Sequence, residues 1–198
     1  MTEEINFLSA LNLKKLLSTK QISCEELIKI HLNQIEKYNP LVNAIVTLTN
    51  ELAIKQAKDF DNNTDKLNGI LAGLPVAVKD LEETSGIRTT FGSQIYKDNI
   101  PNNDSLIVKK VKESGAIIIG KSNTPEFGAG SQTFNEVFGS TKNPYSLDKT
   151  NPSIAAQNSA YNTTDNVQLM EFDATAGTKY NIKVDFDQVG GHSITGTQ

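Results

Sequence analysis

One lysine carries the clearest catalytic chemistry in this sequence. Lys79 follows a short apolar run over residues 73–78 and is itself followed at once by Asp80. A lysine that is desolvated at the end of a buried strand loses its proton more easily, and its neutral amine can then act as a base. The alternative is an ordinary exposed lysine at a strand end, close to the carboxylate of Asp80.

A second candidate is the glycine-containing stretch over residues 120–131, which follows a continuous apolar run over residues 116–119. Such a run is typical of a strand buried on both faces, and α/β proteins place their sites at the carboxyl ends of parallel strands. Gly128 and Gly130 would let the backbone approach a ligand closely, although an ordinary loop with glycine turns is the alternative. A phosphate-binding loop is excluded because residues 116–119 replace the glycines that this motif needs.

The surrounding pattern predicts the elements that would position these residues. Ser23 and Glu26 have the spacing of a capping box, which predicts the start of a helix. The predicted elements are helical residues 5–17, a helix from 24 to the Asn-Pro pair at 39–40, a strand at 43–48, a helix at 51–59, a strand at 74–78, a helix at 105–113 capped by Asp104, and a strand at 116–119. The last three form a βαβ unit, so we expect a parallel strand pair in an α/β fold.

The composition changes near residue 150, which predicts a boundary between residues 1–150 and a β-rich tail over residues 151–198. The tail holds only two of the 19 basic residues and five of the 23 acidic residues, and it is rich in Asn, Thr, Asp and Gly. Apolar and polar residues alternate over residues 167–172 and 180–186, which predicts a β-hairpin with one apolar face. Because a lone hairpin is marginally stable, it would pair with another chain or with the preceding sheet.

The composition also excludes several classes of protein. A net charge of −4 argues against nucleic-acid binding driven by charge. One cysteine, Cys24, allows no intrachain disulfide, and the distant His31 and His192 argue against a metal site or a Ser-His-Asp triad. No apolar run approaches the roughly 20 residues that span a bilayer. The acidic start is unlike a signal peptide, so we expect a cytoplasmic protein without membrane contact, metal or cofactor.

Three blocks of sequence, in order, resemble the amidase signature family. They lie at residues 73–80, 115–128 and 138–145, and the resemblance covers about residues 5–150. The Asn-Thr-Pro-Glu-Phe-Gly form at residues 123–128 is more similar to the general amidases than to the A subunit of tRNA-dependent amidotransferases, which it also resembles. The resemblance implies an incomplete amidase-signature fold with N-terminal helices and a βαβ unit, followed here by the hairpin tail.

The resemblance implies hydrolysis of a small-molecule amide. In this family one serine attacks the amide carbonyl, a second serine held by a cis peptide bond relays the proton, and a buried neutral lysine is the final base. Lys79 matches that lysine within its motif, and the mechanism needs no histidine. By their position in the second block, Gly130 and Ser131 would line the acyl site, with loop packing as the alternative role.

The sequence departs from the family pattern after residue 150. Ile154 falls at about the position of the relay serine, and the glycine-serine block of the nucleophile has no clear counterpart, although Thr178 has roughly its spacing. We therefore predict that this chain, as a truncated or chimeric product, hydrolyses amides poorly or not at all. The alternative is a non-enzymatic binding or adhesion module carried by the tail, which weakly resembles β-sandwich modules of secreted bacterial enzymes.

A single βαβ unit also has a consequence for self-association. The strand over residues 116–119 is expected to have an open edge or an uncovered face unless the tail covers it. Uncovered β-branched strands pair with other chains, so we expect an oligomeric or partly molten protein.

Overall fold

The computed structural model describes residues 5–63, 68–130 and 132–148, together with the backbone of three strands in the tail. Four α-helices are described, namely α1 (Ala10–Ser18), α2 (Cys24–Val42), α3 (Asn50–Asn62) and α4 (Leu106–Glu113). Eight strands are described, namely β1 (Ile45–Leu48), β2 (Pro75–Lys79), β3 (Ile117–Ser122), β4 (Phe134–Asn135), β5 (Gly139–Ser140), β6 (Gln168–Thr175), β7 (Thr178–Phe186) and β8 (His192–Gly196). Every helix in these ranges is too short or too polar to cross a membrane.

A mixed three-stranded sheet carries the candidate site. Strand β3 is central, with β1 antiparallel on one side and β2 parallel on the other. In the parallel pair Pro75 lies opposite Ile117 and Lys79 lies opposite Ser122. Helix α4 connects β2 to β3, which confirms the predicted βαβ unit and its parallel strands.

The apolar run of β3 is buried from both faces of this sheet. Ile117 and Ile119 belong to one core cluster with α1, α2 and α3, whereas Ile118 packs with Val78 and with Val108 of α4. This alternation follows from the two-residue period of a strand. The expected open edge at residues 116–119 is therefore wrong, because both edges of β3 are paired and its three isoleucines are at most 6% exposed.

The capping box of α2 is confirmed, but the predicted end of that helix is wrong. Ser23 Oγ accepts the Glu26 amide at 3.1 Å, and the Glu26 carboxylate accepts the Ser23 amide at 2.9 Å. The helix continues through Pro40 to Val42 and ends at Asn43, which has a left-handed backbone. Helical hydrogen bonding resumes after Pro40, because the Asn43 amide donates to the Asn39 carbonyl at 2.7 Å. The Asn39 side-chain oxygen also accepts the amides of residues 44 and 45 at 2.8 Å, which holds the segment that follows the helix against its last turn.

The cap of α4 also differs from the prediction. Ser105, not Asp104, is the N-cap residue, and its hydroxyl accepts the amide of Val108 at 3.4 Å. Asp104 instead accepts hydrogen bonds from the amide of Ser85 and the ammonium of Lys112, both at 2.7 Å. The acidic residue is therefore used in a long-range contact that the local sequence does not show.

The tail contains one strand more than the predicted hairpin. β6 and β7 are antiparallel, with Phe172 opposite Tyr180, which confirms the hairpin at the level of the backbone. β8 adds to the far side of β7, with Val184 opposite Ile194, so the tail forms a three-stranded antiparallel sheet. The boundary near residue 150 falls outside the described residues and stays a prediction.

Candidate functional site

Lys79 is the last residue of β2, and its side chain is exposed. Ser122, the last residue of β3, lies directly opposite it. The Asp80 amide donates to the Ser122 carbonyl at 2.9 Å, so the two strands stay paired one residue past Lys79. Lys79 thus lies at the carboxyl end of a parallel strand pair, where α/β folds place their sites. Within the described part of the chain, nothing buries this amine.

The two faces of the strand pair differ at this end. Side chains alternate along a strand, so Ala77 and Lys79 lie on one face, while Val78 and Asp80 lie on the other. Ala77 and Lys79 are exposed, and their partner Ser122 is half-buried, whereas Val78 and Asp80 are buried. The lysine face is open in the described structure, and the opposite face is packed.

The packed face contains a completely buried lysine. Lys121 is 0% exposed and follows the apolar run of β3. Its ammonium donates to the Thr84 hydroxyl at 2.8 Å and to the Thr89 hydroxyl at 3.1 Å, and also to the Glu82 carbonyl. Three acceptors from one loop therefore replace the water molecules that would hydrate this ammonium if it were exposed.

A buried carboxylate accompanies this lysine. Asp80 is also 0% exposed, and its carboxylate accepts the Thr90 hydroxyl at 2.5 Å and the Thr90 amide at 3.1 Å. Burial lowers the pKa of Lys121 to about 8, although the Asp80 charge opposes that shift. Burial likewise raises the pKa of Asp80, against the hydrogen bonds from Thr90 and the charge of Lys121. Two opposite buried charges therefore lie beneath the end of β2, each held by threonine side chains of the same loop.

We expect the free energy of unfolding to rise with pH above pH 8 because of Lys121. The folded protein loses the Lys121 proton near pH 8, whereas the unfolded chain keeps it until about 10.5. The unfolded state then binds more protons, so stability rises by up to about 1.4 kcal/mol per pH unit in this window. Urea unfolding at pH 7.5, 8.5 and 9.5 measures the slope. Lys121→Met should remove it; an unchanged slope in that variant would assign the rise to other groups.

Side-chain amides hold the loop that follows β3. The Asn135 amide donates to the Asn123 side-chain oxygen at 2.7 Å and to the Thr124 carbonyl at 2.8 Å. The Asn123 amide in turn donates to the Thr141 hydroxyl at 3.0 Å. Gly130, at the end of this loop, has a φ of +115°, and no atom lies within 4 Å of the place where a Cβ would be. Its backbone is therefore open, as close approach of a ligand would require.

Other predicted site residues fall outside the described part of the chain. Ser131 is among them, and so is Ile154, so their roles stay predictions. Thr178 begins β7 opposite Thr175, within the hairpin that the alternation predicts. In the described ranges no group of three or more His, Cys, Asp and Glu side chains could hold a metal ion.

The buried pair of Asp80 and Lys121 was not predicted from the sequence. In the sequence Lys121 is one residue of the glycine-containing stretch over residues 120–131, and Asp80 is the neighbour of Lys79. A signal was present, because a charged residue that directly extends a strand buried on both faces must find partners inside the protein. The identity of those partners depends on the tertiary path of residues 80–92.

Comparison with known proteins supports the three sequence blocks. The Amidase family model matches residues 26–152. The A subunit of glutamyl-tRNA(Gln) amidotransferase from Carboxydothermus hydrogenoformans is 41% identical over 148 residues, which are 74% of this chain and 30% of that protein. Its counterpart from Saccharolobus solfataricus is 40% identical over 135 residues, which are 68% of this chain and 27% of that protein.

Solved structures show the same relationship. A bacterial aryl acylamidase of the amidase signature family matches with a TM-score of 0.68 and 29% identity, over 73% of this chain and 31% of that one. Fatty acid amide hydrolase matches with a TM-score of 0.69 and 25% identity, over 74% of this chain and 26% of that one. This chain spans about 30% of the length of the curated relatives it matches. Together with the parallel strand pair that ends at Lys79, these matches show that the chain belongs to the amidase signature family.

Proposed function

We propose that this chain supplies the lysine side of an amide-hydrolysing site, with Lys79 as the base. The observation that carries the proposal is the position of Lys79 at the open carboxyl end of β2, directly opposite Ser122. A substrate can approach the amine from this face, while the opposite face is closed by the core around Ile118 and α4. The substrate class is a small-molecule amide.

The chemistry is cleavage of a C–N bond by acyl transfer to a hydroxyl group. A neutral Lys79 amine would accept the proton of the attacking hydroxyl, directly or through a second hydroxyl, and that proton would then pass to the leaving nitrogen. In the family two serines supply these hydroxyls. Because Ile154 stands at about the relay position and no nucleophile block is recognisable, we expect the chain by itself to be inactive.

A second candidate is the site of an amidotransferase. The curated relatives named as the A subunit of glutamyl-tRNA(Gln) amidotransferase are 36–41% identical to this chain. The solved hydrolases and amidases are 25–29% identical. The names of these relatives support the amidotransferase group, whereas the Asn-Thr-Pro-Glu-Phe-Gly form is more similar to the general amidases. In that case the site would act within an assembly of several chains.

The tail supports a separate proposal, a binding function without catalysis. Strands β6, β7 and β8 form a three-stranded antiparallel sheet, which is more than the hairpin that this alternative required. Three strands can be stable where two are marginal.

An amide-hydrolysis assay tests the first proposal. The purified chain is incubated with acetanilide, propionamide and glutamine, and the release of aryl amine or ammonia is compared with Lys79→Ala and with Lys97→Ala, which changes another exposed lysine. We expect no release above the level of Lys79→Ala. Release that disappears only in Lys79→Ala would keep Lys79 as the base but contradict the expected inactivity, and Ser153 and Thr178 would then be tested as nucleophiles. Release above the protein-free background that is equal in all three proteins would contradict a role for Lys79.

A further inference from the structure

We propose that Asp80 and Lys121 form a balanced pair of buried charges that positions Lys79 and sets the reactivity of its amine. The proposal deepens the proposed function and rests on it, because its value for catalysis depends on Lys79 being the base. Neither Asp80 nor Lys121 faces the open side of the sheet, so both are positioning residues and neither is expected to contact substrate.

Asp80 fixes the end of β2 through its backbone and its carboxylate. Its amide donates to the Ser122 carbonyl at 2.9 Å, and its carbonyl accepts the Phe91 amide at 3.0 Å. Its carboxylate accepts both the amide and the hydroxyl of Thr90. The residue directly after Lys79 is therefore held on three sides, which leaves the Lys79 backbone little freedom.

Lys121 fixes the same loop from the neighbouring strand. Its three acceptors belong to Glu82, Thr84 and Thr89, all within the loop that runs from Asp80 to Gly92. One ammonium thus ties this loop to β3, one residue before Ser122. The end of β2, the loop and the end of β3 become a single unit beneath Lys79.

The two charges are opposite in sign and belong to residues next to Lys79 along β2 and on the adjacent strand. Asp80 is its neighbour in sequence, and Lys121 is paired with Val78 on the adjacent strand. Loss of one group leaves the other buried charge uncompensated, and its field reaches the exposed Lys79 amine with the moderate strength of a near-surface interaction. An unopposed Asp80 carboxylate would favour the protonated, unreactive form of the Lys79 amine. An unopposed Lys121 ammonium would favour the neutral, reactive form.

The other charged groups that face Lys121 have partners of their own. The Glu82 carboxylate accepts the Ser105 hydroxyl at 2.7 Å. Asp104 and Lys112 form an ion pair at 2.7 Å, and together with Glu82 and Asp80 they are the charged groups that act on Lys121. Among these groups Asp80 acts most strongly on Lys121, followed by Glu82, whose carboxylate is hydrogen-bonded to a neutral hydroxyl.

Competitive acetylation of the full 198-residue chain tests the proposal. At pH 7, below the pKa of about 8 of Lys121, trace acetic anhydride transfers acetyl groups to neutral amines and releases acetate. Mass spectrometry gives the rate at each lysine relative to Lys55 on α3. We expect the Lys79 rate to fall about threefold in Lys121→Met and to rise about threefold in Asp80→Asn, as expected for one uncompensated charge near a surface amine. In the variant that carries both Lys121→Met and Asp80→Asn, the acetylation rate of Lys79 should return to within about 1.5-fold of wild type.

Thr89→Val separates the charges from the general packing of the loop. This variant keeps both charges and removes one acceptor of Lys121, so it should lower the melting temperature and leave the Lys79 rate unchanged. A purely structural role would instead change the Lys79 rate in Thr89→Val in the same direction as in Lys121→Met. That result, or unchanged rates in both folded charge variants, would overturn the proposal.

The acetylation result and the catalytic result can be told apart. Acetylation needs no turnover of an amide. If the acetylation rate of Lys79 changes as expected in the charge variants but Lys79 is not needed for hydrolysis, only the proposed function is overturned. If that rate is unchanged in the charge variants but Lys79 is needed for hydrolysis, only the charge-pair proposal is overturned. If Lys121→Met does not fold, as judged by circular dichroism, Asp80→Asn and Thr89→Val still give different expectations for the Lys79 rate.

Discussion

Lys79→Ala in a hybrid amidase is expected to lower kcat by at least about a thousandfold. In this hybrid, residues 5–148 of the chain replace the matching segment of the bacterial aryl acylamidase, which shares the fold with a TM-score of 0.68. The hybrid would combine Lys79 with the remainder of a complete family member. Without the base, the attacking hydroxyl keeps its proton and becomes a poor nucleophile. Release of aryl amine from an acyl anilide gives kcat and KM.

Two further variants of the hybrid separate basicity from charge and packing. Lys79→Arg keeps a positive charge, but a guanidinium stays protonated in proteins, so the loss should be as large as in Lys79→Ala. Lys97→Ala should stay within about twofold of the parent hybrid, because it removes an exposed lysine outside the strand pair. KM should change little in all variants. A Lys79→Ala hybrid that keeps more than about a tenth of the parent kcat would exclude Lys79 as the base.

The sheet could be predicted because its signals are local. The continuous apolar run of β3 required cover on both faces, and the structure provides it with α4 on one side and α1–α3 on the other. The spacing of the two apolar runs around a short helix gave the parallel pairing of β2 and β3. The central position of β3 could not be predicted, because it depends on pairing with β1, which lies far away along the chain.

The errors at the two helix ends have different physical causes. At Pro40 the helix continues for two more residues, because the Asn43 amide still bonds the Asn39 carbonyl and the Asn39 side chain holds the amides of residues 44 and 45. At Asp104 the local capping signal is outweighed by long-range hydrogen bonds from Ser85 and Lys112. A capping preference of about 1 kcal/mol yields readily to two such contacts.

The candidate site could likewise be predicted only in part from the sequence. The location of Lys79 at the end of a strand follows from its motif and its apolar run, and the structure places it there. The sequence left open whether this lysine is desolvated or exposed, because that depends on what packs over this face of the sheet. The charge pair beneath it was missed because Thr84, Thr89 and Thr90 approach Lys121 and Asp80 only through the path of a loop.

Gly115→Ala is expected to lower the free energy of unfolding by about 2–4 kcal/mol. Gly115 connects α4 to β3 with a φ of +89°, and an added Cβ would lie 2.7 Å from both Cα and Cβ of Ala72. Ala72 is 0% exposed and cannot move outward. The Gly73 amide also donates to the Gly115 carbonyl at 3.0 Å, so a shift that relieves the contact breaks a hydrogen bond. Urea unfolding measures the loss.

Gly86→Ala is the matched control for backbone strain. Gly86 has a similar φ of +73°, but nothing lies within 4 Å of the position of its added Cβ. Gly86→Ala should therefore lower the free energy of unfolding only by the penalty of a left-handed backbone at alanine, which is about 1–2 kcal/mol. The difference between the two variants isolates the contact with Ala72 at the entry of the chain into β3. Equal losses would show that the Ala72 backbone yields to the added Cβ.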